Sequence, residues 1–229
     1  MNLKPIVALT LGLLFSPVQG LHGQDPKLAP DNLEFTRSVA ENNHLIADVS
    51  MQVEEDQFVR FRYDRYPDVK QITTEDGTAY AQRKGKGWLK SADWGKTGEP
   101  VKPDWEDRME MLSQVAESPL GKSTPRDNSQ GKTVWKLVSQ KKEDGFERFT
   151  FEQTRENPRP NGVYPRYTFL KGKKDKEGEL LLEHFSAQMR SGEKLIPVEI
   201  HLGIMIVLPE GSVKIERVDV PGKSEKQCK

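Results

Sequence analysis

Cysteine is nearly missing from this chain: its 229 residues include one, Cys228. A lone thiol closes no intramolecular disulfide, so the fold must be held by an ordinary apolar core. Cys228 is expected as a thiol on a disordered tail spanning 222–229, where no pocket would lower its pKa for catalysis. Net charge is absent too, since 35 lysines and arginines balance 35 aspartates and glutamates. A nucleic-acid binder carries a net basic face, and these charges are interspersed, so nucleic acid is not the expected partner. No run after the first 24 residues is long and apolar enough to span a bilayer as a helix. Gly-x-Ser-x-Gly, Gly-x-Gly-x-x-Gly and His-Glu-x-x-His are all missing, which removes the readable signatures of serine hydrolases, dinucleotide enzymes and helical zinc proteases.

Gly-Lys-Thr/Ser triplets do occur, at Gly95-Lys96-Thr97, Gly121-Lys122-Ser123, Gly131-Lys132-Thr133 and Gly222-Lys223-Ser224. A phosphate loop needs a further glycine five residues before the Gly-Lys pair, and a helix after it. Those positions hold Lys90, Ala116, Arg126 and Arg217. None of the four triplets qualifies.

What is present begins with a leader-like segment. Lys4 is followed by an apolar stretch from Ile6 to Phe15, a Ser16-Pro17 break, and Gly20 or Gly23 as cleavage positions. This order reads as a secretory signal peptide over 1–23 and predicts a periplasmic or secreted protein. Residues 24–221 then read as one domain, large enough to be stable without metal or disulfide.

The hydrophobic period assigns the elements. Asp31 is placed to cap a helix with Phe35 and Val39 on one face, ended by Asn42-Asn43. Leu45, Ala47, Val49, Met51 and Val53 then alternate with mostly polar residues, and so do Val59, Phe61 and Tyr63, giving a hairpin. Val49, Met51 and Phe61 should be buried, with Asp48, Ser50 and Arg60 on the other face. Further strands are expected at 69–75 and 78–83 around the Asp76-Gly77 turn, from Trp88, at 133–139, 146–153 and 164–170, at 195–208, and at 213–220. Pro103-Asp104 opens a helix carrying Trp105, Met109, Leu112 and Ala116 at spacings of four and three. Leu181, Leu182, Phe185 and Met189 also follow helical spacing, with Gly192 as a terminal glycine, predicting a helix over 179–190. The fold class is therefore α+β: a curved antiparallel sheet, or incomplete barrel, with two or three helices on or across its concave side.

Two constellations bear on chemistry. His184, Glu199 and His201 could meet as zinc ligands, which keeps a metal-dependent enzyme as an alternative; satisfied surface histidines are the ordinary reading. The second is apolar. Met51, Phe61, Trp105, Met109, Leu112 and Phe185 would line either a filled core or a cavity between a curved sheet and its helices.

The run Leu45–Val53, then Phe58-Val59-Arg60-Phe61-Arg62-Tyr63, then Val69 through Asp76-Gly77 and on to Tyr80 resembles the LolA-like periplasmic lipoprotein carriers, over about residues 31–90. The resemblance implies a half-barrel crossed by helices and a site for acyl chains. It also implies that an early-strand arginine, Arg60 or Arg62, holds the helical lid closed. The expectation is thus a non-catalytic, monomeric envelope protein without cofactor, binding a hydrophobic small molecule or lipidated protein. The alternatives are the metal-dependent enzyme and an interaction module with a filled core.

Overall fold

The computed structural model describes residues 28–91, 98–121, 131–143, 145–159, 162–171, 180–207 and 213–216. The leader, the triplets at Gly95 and Gly222, and Cys228 with its tail lie outside them. The elements are α1 (Leu28–Glu41), β1 (His44–Glu54), β2 (Gln57–Arg65), β3 (Val69–Thr74), β4 (Ala79–Arg83), β5 (Trp88–Ser91), β6 (Glu99–Pro100), α2 (Pro103–Glu117), β7 (Thr133–Glu143), β8 (Phe146–Arg155), β9 (Arg166–Lys171), β10 (Leu181–Ser191), β11 (Lys194–Val207) and β12 (Val213–Glu216). A short 3-10 turn, Ser118–Leu120, follows α2.

All the strands join one antiparallel sheet in the order β6-β5-β4-β3-β2-β1-β11-β10-β9-β8-β7, with β12 added on β11. The sheet is open. Two meanders, β1 to β6 and β7 to β11, meet where β1 pairs with β11. Curvature shows in the aromatic contacts. Trp135 on β7 and Tyr167 on β9 touch edge to face at 4.9 Å, although β8 lies between their strands. Neighbouring strands stand about 4.8 Å apart, so rings two strands apart meet this closely when the surface bends toward them.

Turn chemistry sets the hairpins. Gly77 has φ +83°, and Asp76 accepts hydrogen bonds from the Thr74 hydroxyl at 2.6 Å and the Thr78 N–H at 3.0 Å. That closes the β3–β4 turn as the Asp-Gly pair predicts. The triplet at Gly131 leads directly into β7, so a strand stands where a phosphate loop would need a helix.

The expected helix over 179–190 is strand β10. Its register shifts between Leu182 and His184, which makes Glu183 a bulge. Leu182 faces Phe169, and Phe185, Ala187 and Met189 face Ile200, Val198 and Ile196. One extra residue therefore converts a two-residue alternation into spacings that imitate a helix. Gly192, read as a helix terminator, sits at φ +61° in the two-residue turn between β10 and β11.

Smaller corrections concern the two helices. α1 begins at Leu28, so Asp31 lies in its first turn rather than at its cap, where its charge still suits the helix dipole. Its buried stripe is Ala29, Asn32, Leu33, Thr36 and Ala40, while Phe35 and Val39 are half-buried. Pro103 is the first residue of α2, and Lys102 stands at the cap without a side-chain bond.

The polar residues in the α1 stripe have a reason. β10 pairs with β11 from His184 onward, while the far end of β11 pairs with β12, so β10 and β11 part at this end. α1 fills the fork. Asn32 Oδ1 accepts the Leu180 N–H at 2.9 Å, and Thr36 Oγ1 accepts the Leu182 N–H at 3.0 Å. These bonds satisfy buried backbone donors that would otherwise cost about 1–3 kcal/mol each.

Candidate functional site

The concave face is built in rows. Phe185, Ile200, Val49 and Phe61 lie opposite one another across β10, β11, β1 and β2. Ala187, Val198, Met51 and Val59 form the next row, and Met189 with Ile196 the one after. On the other meander, Tyr167 pairs with Phe151 and Phe185, and Phe169 with Phe149 and Leu182. Period-two alternation puts all of these on one surface. Val49, Met51 and Phe61 are buried there as expected, while Arg60 is exposed on the opposite face and Asp48 and Ser50 are half-buried.

α2 crosses β1 and β3. Met109 is 0% and Leu112 2% exposed, and Val115 and Ala116 are buried beside them. Of the six residues expected to line a cavity, Met51, Phe61, Met109, Leu112 and Phe185 share one core cluster. Trp105 departs from the expectation: it is 36% exposed and stacks on the buried Tyr80 at 5.6 Å, with the Arg108 guanidinium over its ring at 5.1 Å. Trp88 is fully buried, and its indole N–H meets no acceptor among the described residues.

The far end of α2 is tied by charge. The Tyr63 hydroxyl donates to Glu117, and Arg65 Nη1 and Lys70 Nζ stand 3.7 and 3.8 Å from the same carboxylate. Burial, together with the Glu117 carboxylate, pushes the Tyr63 phenol well above the usual tyrosine range, so it stays a donor. Arg65 also donates to the Ala40 carbonyl at the end of α1, at 3.0 Å, and Arg37 donates to Leu120 O at 2.6 Å. A cleft of about 300 Å³ lies among these groups.

Arg60 and Arg62, the expected lid-holding arginines, make other bonds. Arg60 pairs with Glu75 at 3.4 Å across exposed surface, and Arg62 grips Asp64 at 2.9 Å on the convex face. The residue joining both helices to the sheet is Arg65. Its odd position on β2 was the available signal, because alternation puts Arg65 on the same face as Phe61 and Tyr63.

Away from α2 the concave face opens. Val59 lies four residues from Tyr63 along β2, about 13 Å of strand. Here Val59, Ala187, Met189, Ile196, Trp135 and Leu137 are only partly buried against the core. At the same end β1 bulges between Gln52 and Glu54. Its ladder with β11 ends at Met51 and Val198, next to Pro197, which has no N–H to continue it. The two strands separate, leaving a cleft of about 490 Å³ lined by Gln52, Val53, Glu54, Glu55, Lys194, Leu195 and Pro197. The cleft is shallow and its lining mixes apolar with charged side chains.

On the convex face, His184 Nε2 lies 2.5 Å from Glu199 Oε2, and the His184 and His201 rings are 4.6 Å apart. The structure thus gathers the three residues named as a zinc alternative. No group of three or more His, Cys, Asp or Glu side chains among the described residues has the geometry of a metal site.

The fold and site define a class: an open antiparallel half-barrel with two helices on its concave side and an apolar strip running past them. No family model matches the chain, and no curated protein sequence matches it. Among solved structures it is similar to a LolA superfamily protein from Nitrosomonas europaea, at 10% identity and a TM-score of 0.33, covering 83% of this chain and 94% of that one. It is also similar to a putative outer membrane lipoprotein-sorting protein domain from Vibrio parahaemolyticus, at 14% identity and a TM-score of 0.22, covering 80% of this chain and 95% of that one.

Proposed function

We propose that this is an exported, non-catalytic envelope protein that binds an apolar chain, a lipid or lipoprotein acyl group, along the open part of its concave face. The observation that supports it most is the strip Val59, Ala187, Met189, Ile196, Trp135 and Leu137, half-buried beside the buried core. It runs toward the cleft opened by Pro197 and the β1 bulge. An acyl chain covering these side chains would remove apolar surface from water at roughly 25 cal/mol per Å². α2 is the lid, and its removal would extend the strip over Met109 and Leu112. In this reading Arg65, with Glu117, Tyr63 and Lys70, forms the polar clasp at one end of the lid, and the Tyr80–Trp105 stack forms the other. The protein acts as a monomer in the periplasm or outside the cell and needs no cofactor.

Native mass spectrometry of the mature protein, purified without detergent from a bacterial envelope, tests this reading. A retained lipid mass that organic extraction removes from the folded protein is expected. A spectrum of the unliganded chain alone, under conditions that preserve lipid on a control carrier, would refute it.

A further inference from the structure

A second cluster faces away from the acyl site. His184 on β10 pairs in register with His201 on β11, and His201 with Asp48 on β1. These three positions lie on the convex surface, opposite Phe185, Ile200 and Val49. The two imidazole rings are tilted by 36° with centroids 4.6 Å apart. Much of the surrounding face is matched in cross-strand charge pairs, such as Arg148 with Glu183 and Arg166 with Glu152. At the fork between β10 and β11 the pairing is instead imidazole against imidazole.

We propose that His184 and His201 form a two-imidazole chelate for a borderline divalent ion, Zn²⁺ or Cu²⁺, with water completing the coordination. Two imidazoles and water make up the ligand set, so no third side-chain donor is needed. Tetrahedral zinc holds two nitrogens at about 2.0–2.1 Å each, hence about 3.3 Å from one another. The ring centroids, 4.6 Å apart in register across β10 and β11, bring the two imidazoles close enough for one ion to engage a nitrogen of each.

Glu199 prepares one ligand. An ionised carboxylate can only accept, so its contact with His184 Nε2 places the proton on that nitrogen and leaves the lone pair on Nδ1. A carboxylate behind a ligating histidine is the usual orienting arrangement at metal sites. His201 is half-buried on the same face, with its ring beside that of His184. Glu199, Glu183 and Asp48 all act on His201 as negative charges, a field that favours a cation. Solvent reaches the site, since the His184 and Glu199 side chains are 27% and 52% exposed. Imidazole donors select zinc or copper over calcium or magnesium.

The test is calorimetric titration of the mature protein with ZnCl₂ and with CuCl₂ near pH 7.5, with CaCl₂ as control. One equivalent of Zn²⁺ or Cu²⁺ should bind, and calcium should not. His184→Gln and His201→Gln should each abolish that equivalent, while Glu199→Gln should weaken it about 10–100-fold. Circular dichroism and uptake of a fatty-acid probe, which depends on the other face, should be unchanged in all three variants. Failure of the wild type to bind either ion would overturn the proposal. So would an equivalent that survives in either histidine variant.

Discussion

If α2 is a lid, it must be able to leave the sheet without unfolding it, and amide hydrogen exchange can measure that. Leu112 is 2% exposed and packs where α2 crosses β1 and β3. Leu112→Ala removes buried volume and should destabilise the seam by about 2–5 kcal/mol. Where exchange reports the opening equilibrium, α2 amides in the variant should exchange roughly 25 to several thousand times faster, at a factor of ten per 1.4 kcal/mol. The discriminating variant is on the other meander. Phe151 is 1% exposed on β8 and packs edge to face on Phe169 at 6.0 Å. Phe151→Ala should cost about 3–5 kcal/mol, felt by any amide that exchanges through global unfolding. An independently opening α2 exchanges through a state in which Phe151 is still buried. Its amides should therefore keep their wild-type rates while the β8, β9 and β1 amides accelerate. Equal acceleration of α2 and β1 in Phe151→Ala would show that the helix opens only with the whole sheet, and the lid reasoning would fail.

Three further outcomes follow from named residues. Phe61→Ala should lower unfolding stability by about 3–5 kcal/mol and Ser50→Ala should leave it nearly unchanged, because these neighbouring positions face opposite sides; comparable losses in chemical denaturation would contradict the register. Burial raises the Asp64 carboxyl, but hydrogen bonds from His44 and Arg62 outweigh it and hold the group below the usual carboxylate range. Its stabilisation is full above the unfolded value of about 3.9 and is lost as pH falls through the folded one, so the stability gap between wild type and Asp64→Asn should shrink below about pH 4. Burial pushes the Tyr167 phenol up to about 12. Its contribution is complete below the unfolded value of about 10 and disappears as pH rises through 12, so Tyr167→Phe should reduce the alkaline loss of stability; an unchanged slope above pH 10 would count against it.

Much of the sheet was legible because one face is apolar and the other polar. Alternation along β1 and β2 identified Val49, Met51 and Phe61 as inward, and Asp76-Gly77 gave the β3–β4 turn. The pattern misled where geometry departs from regularity. The Glu183 bulge turned β10 into an apparent helix. The roles of Asn32 and Thr36 were not legible because the Leu180 and Leu182 N–H groups they satisfy are nearly 150 residues away, at separations of 148 and 146. The arginines follow the same alternation. Arg60 and Arg62 stand out among aromatics, yet alternation puts them on the convex face, whereas Arg65 shares the face of Phe61 and Tyr63 on which the helices lie. The cleft beside Pro197 also escaped notice, since it needs the β1 bulge and the end of the β11 ladder to coincide.

The account stands most directly on fluorescence titration of the delipidated mature protein with an extended fatty-acid probe, in the wild type and two matched variants. Ile196→Asp places a carboxylate in the half-buried concave strip, and Gln188→Asp places one on the exposed convex surface close by. Burying an unpaired charge against an acyl chain costs several kcal/mol, whereas a solvated one costs little. Saturable uptake by the wild type and Gln188→Asp, with loss in a folded Ile196→Asp, is the predicted result. Absence of saturable uptake by the folded wild type, or equal uptake by all three proteins, would contradict the claim that the concave strip is a site for apolar chains.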